Sequence, residues 1–189
     1  MIFLASQSPR RRELLTLIGV PFDTLDIDVP EQRQPGEPPL DYVSRVAREK
    51  AGAGLLQVAG RAGAMVLGAD TEVVLDDEVF GKPADAADAA AMLARLAGRS
   101  HQVISVVWLL TAGQELHAAC LTQVTFAPLS RAEIDAYVAT GECFGKAGAY
   151  AIQGRAATFV SHLSGSHSSV MGLPLYETHG LLRAAGWSA

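Results

Sequence analysis

The heptapeptide Ser6-Gln7-Ser8-Pro9-Arg10-Arg11-Arg12 sets a cluster of cations at the point where an apolar segment gives way to a helix. Ser8 fits an N-cap and Pro9 the first helical position. A strand feeding a helix there leaves unpaired backbone N–H groups and the positive end of the dipole at one point. Arg10 and Arg11 fall in that first turn, where the dipole disfavours cations. A charge placed against its local preference points to an anionic ligand that offsets the repulsion; a solvated basic helix end is the competing reading.

Lys50 follows Val43, Val46 and Ala47 at helical spacing, so it shares their apolar stripe. An inward lysine needs an anion or loses its proton, unless it snorkels at the stripe's edge. Asp70, in Gly68-Ala69-Asp70-Thr71, interrupts a strand flanked by Val66, Leu67, Val73 and Val74. Such a carboxylate is costly unless it meets a metal, a cation or water in a cleft; otherwise it caps a neighbouring loop. Lys82 follows the next turn and can return to the same end of the sheet, or lie on the surface. The segment Lys146-Ala147-Gly148-Ala149-Tyr150-Ala151-Ile152-Gln153-Gly154 suits a loop pressed against a flat ligand. The Gln153 amide carries the donor and acceptor that a base edge requires, although a glycine-rich run is by default a turn. The scattered histidines show no metal-ligand spacing.

The elements that must position these groups are legible in outline. Residues 2–5 read as a buried strand, and the helix from Pro9 has Leu14, Leu15, Leu17 and Ile18 as its apolar face and ends at Gly19. A strand is expected over 23–28, a loop over 30–39 and a second helix over about 41–56. Strands over 65–75 and just beyond Asp76-Asp77-Glu78 precede an alanine-rich helix over 85–97, closed by Gly98. Strands 101–110 and 115–126 form a hairpin. Ser130-Arg131-Ala132-Glu133 is a capping box opening a helix that stops at Gly141. A glycine-rich loop, a strand over 158–163, another loop and a helix after Pro174 complete the chain. Strands and helices alternate around at least one antiparallel hairpin, so the fold class is α/β (α+β) with a mixed sheet, and the 189 residues form a single domain.

Hydrophobic residues make up 49% of the chain, enough for a core, which excludes disorder over most of its length. The formal charge of -5 argues against a protein that coats nucleic acid or an anionic membrane. It leaves room for a small anion held by local cations. Cys120 and Cys143 lack the spacing of a zinc site or disulfide framework and are expected as free buried thiols. The apolar start is too short for a signal peptide, and no run approaches the ~20 residues of a membrane span. A cytoplasmic location is expected.

With these blocks assembled, the chain resembles the Maf family of nucleoside triphosphate pyrophosphatases from end to end. The resemblance rests on Leu4-Ala5-Ser6-Gln7-Ser8-Pro9-Arg10-Arg11, Ala47-Arg48-Glu49-Lys50-Ala51, Gly68-Ala69-Asp70-Thr71 and Gly81-Lys82-Pro83. It continues in His101-Gln102-Val103-Ile104, Lys146-Ala147-Gly148-Ala149-Tyr150, Ile152-Gln153-Gly154 and Gly172-Leu173-Pro174-Leu175. It implies a two-lobed fold with a long mixed sheet like that of inosine triphosphate pyrophosphatase, and an active-site cleft between the lobes. It also implies a divalent cation (Mg or Mn), a nucleotide substrate and a homodimer. By position, Asp70 is the general base and Glu31 the second acid, on the metal side. Ser8, Arg11, Lys50 and Lys82, with Lys146, fall where the family holds the triphosphate. On that reading Lys50 is an uncompensated ammonium in the empty site.

Arg10, Thr71 and Gln153 match the subgroup acting on dTTP and UTP. The subgroup acting on 7-methyl-GTP has tryptophan, glutamine and glutamate there. A neutral Gln153 suits uracil or thymine, whereas a carboxylate suits the cationic ring of 7-methylguanine. The remaining alternative, a nucleotide-binding regulator of septation without catalysis, is disfavoured by the retained Glu31, Asp70, Lys50 and Lys82. The chain departs from the family pattern at Gly145, where an aspartate is usual, and at Ser105, His167 and Ser169.

Overall fold

The computed structural model describes residues 1–188. Its elements run β1 (Ile2–Leu4), α1 (Pro9–Leu17), β2 (Phe22–Thr24), α2 (Pro39–Gln57), β3 (Met65–Leu75), β4 (Glu78–Phe80) and α3 (Ala86–Leu96). Then follow β5 (Ser100–Leu110), β6 (Glu115–Phe126), α4 (Arg131–Val138), β7 (Val160–Ser164), α5 (His167–Met171) and α6 (Leu175–Ala184). Short 3-10 turns occupy Ala147–Ala149 and Arg155–Phe159.

The strands form one seven-stranded mixed sheet in the order β2-β1-β3-β5-β6-β7, with β4 on β3. β1 runs parallel to β2 and β3, while β3, β5, β6 and β7 pair antiparallel. The site depends on one discontinuity. Along the same edge of β3, β1 pairs with Met65–Leu67 and β4 pairs with Val73–Leu75. Residues 68–72 therefore face a gap, opening where β1 ends. In sheets with parallel strands this carboxyl end is where connections diverge and ligands enter.

The period of two along β3 divides its side chains between faces. On one face Leu67 and Ala69 belong to a cluster with Leu14, Leu15 and Leu182, whereas Val73 and Leu75 belong to another with Leu93, Phe126 and Ile134. Thr71 lies between them, so the two apolar lobes meet at the level of the gap. On the opposite face Val74 packs against Val43 and Val46 of α2; burying such side chains stabilises by about 1.5–3 kcal/mol each.

Local signals account for most elements. Ser130 and Glu133 make the full capping box of α4, and Asp85 caps α3 by accepting from Asp88 N. Ser8 stands at the N-cap of α1 but makes no capping bond with its side chain. Several expectations are corrected. The strand expected over 23–28 is only Phe22–Thr24, because β1 offers a three-residue partner. Leu17 is 75% exposed rather than on the apolar face of α1. The 3-10 turn takes Thr158, delaying β7 to Val160, and the loop after β7 contains α5. Ser166 caps α5, and Gly172 closes it in the left-handed region (φ 119°). Both cysteines are free; Cys143 is buried but Cys120 only half-buried.

Candidate active site

A cavity of about 700 Å³ opens at the gap in the β3 edge, within the size range of small-molecule sites. Its walls include each residue expected to act on the substrate: Ser8, Arg10 and Arg11 from the start of α1, Glu31 from the loop after β2, and Lys50 from α2. Asp70 and Thr71 from β3, Lys82 after β4, and Lys146 and Gln153 from the glycine-rich loop complete the set.

The acidic side is built by close approach of α2 to β3. A Cβ on Gly68 would lie 2.4 Å from Ala47 O and 2.5 Å from Ala51 N, so only glycine lets the helix sit this low. Lys50, one turn on from Val46, is thereby brought over Asp70. Its Nζ donates to Asp70 Oδ1 at 2.7 Å and to Glu31 Oε1 at 2.6 Å. Lys82 Nζ donates to Glu31 Oε2. Lys50 is thus not an uncompensated ammonium: two carboxylates neutralise it inside the protein. Burial alone would raise the Glu31 carboxyl, but hydrogen bonds and attraction from Lys50 and Lys82 outweigh it and hold it at about 2.

Glu72, which no sequence signal had singled out, completes this side. Two residues beyond Asp70 on the same face, it is 7% exposed and lines the cavity. Burial, then repulsion from Asp70 and Glu31, pushes its carboxyl up to about 8. Asp70 Oδ2 and Glu72 Oε2 are both buried without a hydrogen-bond partner. The signal that could have found it is the period of two, since a second acid at i+2 shares Asp70's face.

The opposite side is cationic. Arg10 Nε donates to Met171 O at 3.1 Å, and Arg11 Nε to Gly172 O at 2.8 Å. Arg11 Nη1 also donates to Ser6 Oγ. The carbonyls ending α5 therefore hold both arginines in the first turn of α1, against the helix dipole. Burial, then the neighbouring Arg11, lowers the Arg10 pKa; burial, then Arg10, lowers that of Lys146. Among the described residues none of these cations forms an ion pair with a carboxylate. Gly145, in the left-handed region (φ 68°), brings no carboxylate of its own to Lys146, and the attraction from Cys143 and Glu142 is outweighed by burial and Arg10.

Thr71 faces the cavity from the other side of β3. Its Oγ1 lies 2.6 Å from Ser105 Oγ, which itself donates to Ser169 O at 2.7 Å. Because the Ser105 proton is already committed, Thr71 donates to Ser105 and keeps only acceptor capacity for a ligand. The glycine-rich loop is anchored from below. Tyr150 OH and His101 Nε2 are 2.8 Å apart, and Phe126 meets both rings edge-on, at 5.0 Å from His101 and 4.9 Å from Tyr150. Burial lowers the imidazole to about 4. Gly148 (φ 67°) passes so close to Val73 that a Cβ would lie 2.8 Å from it. The loop is thereby pressed onto β3, with Gln153 at the cavity.

Comparison with known proteins agrees with this architecture. The family described as Maf-like protein matches residues 1–185. The chain is 59% identical over 188 residues to the dTTP/UTP pyrophosphatase of Xanthomonas campestris pv. campestris, covering 98% of this chain and 99% of that one. It is 58% identical to the dTTP/UTP pyrophosphatase of Xanthomonas euvesicatoria pv. vesicatoria, with the same coverage. It is 55% identical over 183 residues to a nucleoside triphosphate pyrophosphatase of Xylella fastidiosa, covering 96% and 97% of the two chains.

Proposed function

The chain belongs to the Maf family, and from that premise we propose that it is a nucleoside triphosphate pyrophosphatase acting on dTTP and UTP. The products are the nucleoside monophosphate and pyrophosphate. The observation that carries this reading is the division of the cavity: Asp70 and Glu31 held by lysines on one side, and Arg10, Arg11 and Lys146 without carboxylate partners on the other. Unpaired cations around a cleft call for a polyanion. The free hydroxyl of Ser8 and the unpaired N–H groups of α1 add donors for phosphate oxygens.

In this reading Asp70 is the general base. Lys50 pins Oδ1 and leaves Oδ2 to accept the proton of the attacking water. The water oxygen bonds to phosphorus as the bridging P–O bond between the α and β phosphates breaks, releasing pyrophosphate. Lys82 and Arg11 balance charge on the departing phosphates. Gln153 and Thr71 face the base, with Arg10 beside them. A neutral amide can meet the alternating acceptor and donor edge of uracil or thymine, which a carboxylate would repel.

A divalent cation, Mg²⁺ or Mn²⁺, belongs to this reading and fits the donors present. The orphaned oxygens of Asp70 and Glu72 are hard anionic ligands. Among the described residues no three His, Cys, Asp or Glu side chains form a ready-made cage. That suits Mg²⁺, which is commonly held by few carboxylates together with substrate phosphates. When bound, it would neutralise phosphate charge. No helix of the described residues is long and apolar enough to cross a membrane. A cytoplasmic, homodimeric enzyme completes the proposal.

The test is a panel of dTTP, UTP and 7-methyl-GTP incubated with Mg²⁺ or Mn²⁺, scoring pyrophosphate against orthophosphate. Pyrophosphate from dTTP and UTP is expected. Orthophosphate with a nucleoside diphosphate, or preference for 7-methyl-GTP, overturns the proposal.

A further inference from the structure

We propose that Glu72 is a metal-binding residue of this chain, forming with Asp70 a site for one hard divalent cation that does not require Glu31. This deepens the pyrophosphatase reading and rests on it for its purpose, but not for its geometry.

The argument starts from which oxygens are free. Glu31, the acid expected on the metal side, has Oε1 taken by Lys50 and Oε2 by Lys82. A cation approaching it would have to displace one of these ammonium groups. Asp70 gives Oδ1 to Lys50 and has Oδ2 left over, buried and unpartnered. Glu72 accepts no hydrogen bond from any described residue, and its Oε2 is likewise buried and unpartnered. At 5% and 7% exposure, both residues are more than nine-tenths buried, and both line the same cavity.

The backbone places them as a pair. Side chains two apart on a strand share a face with Cα atoms ~6.5–7 Å apart, a span that two carboxylates can close around an ion with oxygen ligands at ~2.0–2.6 Å. The extended strand is held on its other edge by β5, where Asp70 and Glu72 oppose Val106 and Ile104. Those neighbours are apolar and provide no competing donor. Along the near edge neither β1 nor β4 covers these positions.

Charge points the same way. Three acids line this side of the cavity against Lys50 and Lys82, and both lysines are already engaged with Glu31. Leaving two buried carboxylate oxygens unsatisfied costs free energy that a divalent cation would recover. Each carboxylate oxygen has more than one acceptor site, so Asp70 Oδ2 can hold the ion and still face the attacking water.

The test needs no turnover. Protein stripped of metal is titrated with Mn²⁺ alone, in the absence of nucleotide, and free Mn²⁺ is followed by electron paramagnetic resonance. The wild type is expected to bind one Mn²⁺. Glu72→Gln should weaken that binding at least ~tenfold, the scale on which losing even an outer-shell partner weakens a metal site. Glu72→Asp, keeping the carboxylate, should retain part of it, and Glu31→Gln should leave an Mn²⁺ site in place. Circular dichroism and thermal melts confirm that the variants are folded; because glutamine keeps the size of the side chain and carries no charge, folding should survive. Equal affinity for Mn²⁺ in the wild type and Glu72→Gln overturns the proposal and makes Glu72 a neutral buried acid. No Mn²⁺ bound by the nucleotide-free wild type overturns it too. Either result leaves the identity of the hydrolysed nucleotide untouched, whereas a failed nucleotide panel leaves this metal site standing.

Discussion

Lys50 Nζ lies 2.7 Å from Asp70 Oδ1, across a helix–strand contact that Gly68 alone permits. Lys50, expected to hold the triphosphate, is therefore also the counter-ion of the proposed base. Its side chain and that of Asp70 are 10% and 7% exposed, so the pair is a buried one with little screening by solvent.

Breaking this pair should cost stability as well as catalysis. Lys50→Met leaves Asp70 buried beside Glu31 without its cation, and removing one partner of a buried pair typically costs ~3–5 kcal/mol. For a chain of this size each kcal/mol is worth about 2–4 °C in Tm. Asp70→Asn should instead lose ~10²–10⁴-fold in kcat, as expected for a general base, with a smaller change in Tm because Glu31 still meets Lys50. The double variant should recover part of the Lys50→Met loss, and a thermodynamic cycle of melts measures it. Unchanged melting of Lys50→Met would show that the ion pair does not persist in solution.

Gly68→Ala tests the approach that creates the pair. The added Cβ would sit 2.4 Å from Ala47 O, a backbone atom that cannot rotate away. Either α2 lifts from β3 or the strand shifts, so a stability loss of ~1–3 kcal/mol or more is expected. Activity should fall further than stability, since Lys50 and Asp70 separate. Circular dichroism melts and kcat on the folded fraction separate the two effects.

Acid sensitivity should have a component centred on His101. The ring is 3% exposed, and burial lowers its pKa to about 4 from the ordinary 6.5. The unfolded chain takes up a proton below about 6.5, while the folded protein refuses it until about 4. Stability is therefore full above pH 6.5 and is lost as pH falls from there through 4, by roughly 3 kcal/mol for this group. Glu31, held at about 2 against an ordinary 4.5, adds a second loss in the same direction, below pH 4.5. Denaturant unfolding at pH 7 and pH 5 should show the first loss as the difference between the wild type and His101→Gln, because Glu72, pushed up to about 8, shifts stability the opposite way over the same range. Glu31→Gln, compared with its own His101→Gln double variant, should retain that difference.

Substrate choice should follow Gln153. Gln153→Glu puts a carboxylate where uracil and thymine present acceptors, so kcat/KM for dTTP should fall at least ~tenfold through KM, with the fold intact. Equal kinetics for dTTP in both proteins would place the base elsewhere in the cavity.

The sequence by itself determined those features that depend on near neighbours. The capping box at Ser130 and Glu133, the start of α3 at Asp85 and the apolar run of β3 are set by residues within a few positions, and all appear in the structure. The inward placement of Lys50 follows from the same arithmetic. The residue blocks pointed to the family, and the cavity gathers all the residues selected from them. Only the tertiary structure decided what those residues touch. Glu31 comes from an irregular loop, and nothing in its surroundings announces that Lys50 and Lys82 will occupy both its oxygens. Glu72 is one acid among apolar strand residues, and its unsatisfied state exists only because α2, β5 and the open edge of β3 enclose it. Local periodicity fixes which way a side chain points. Whether it ends paired or orphaned depends on segments tens of residues away, brought together by burial of apolar surface that is indifferent to the polar groups it carries inside.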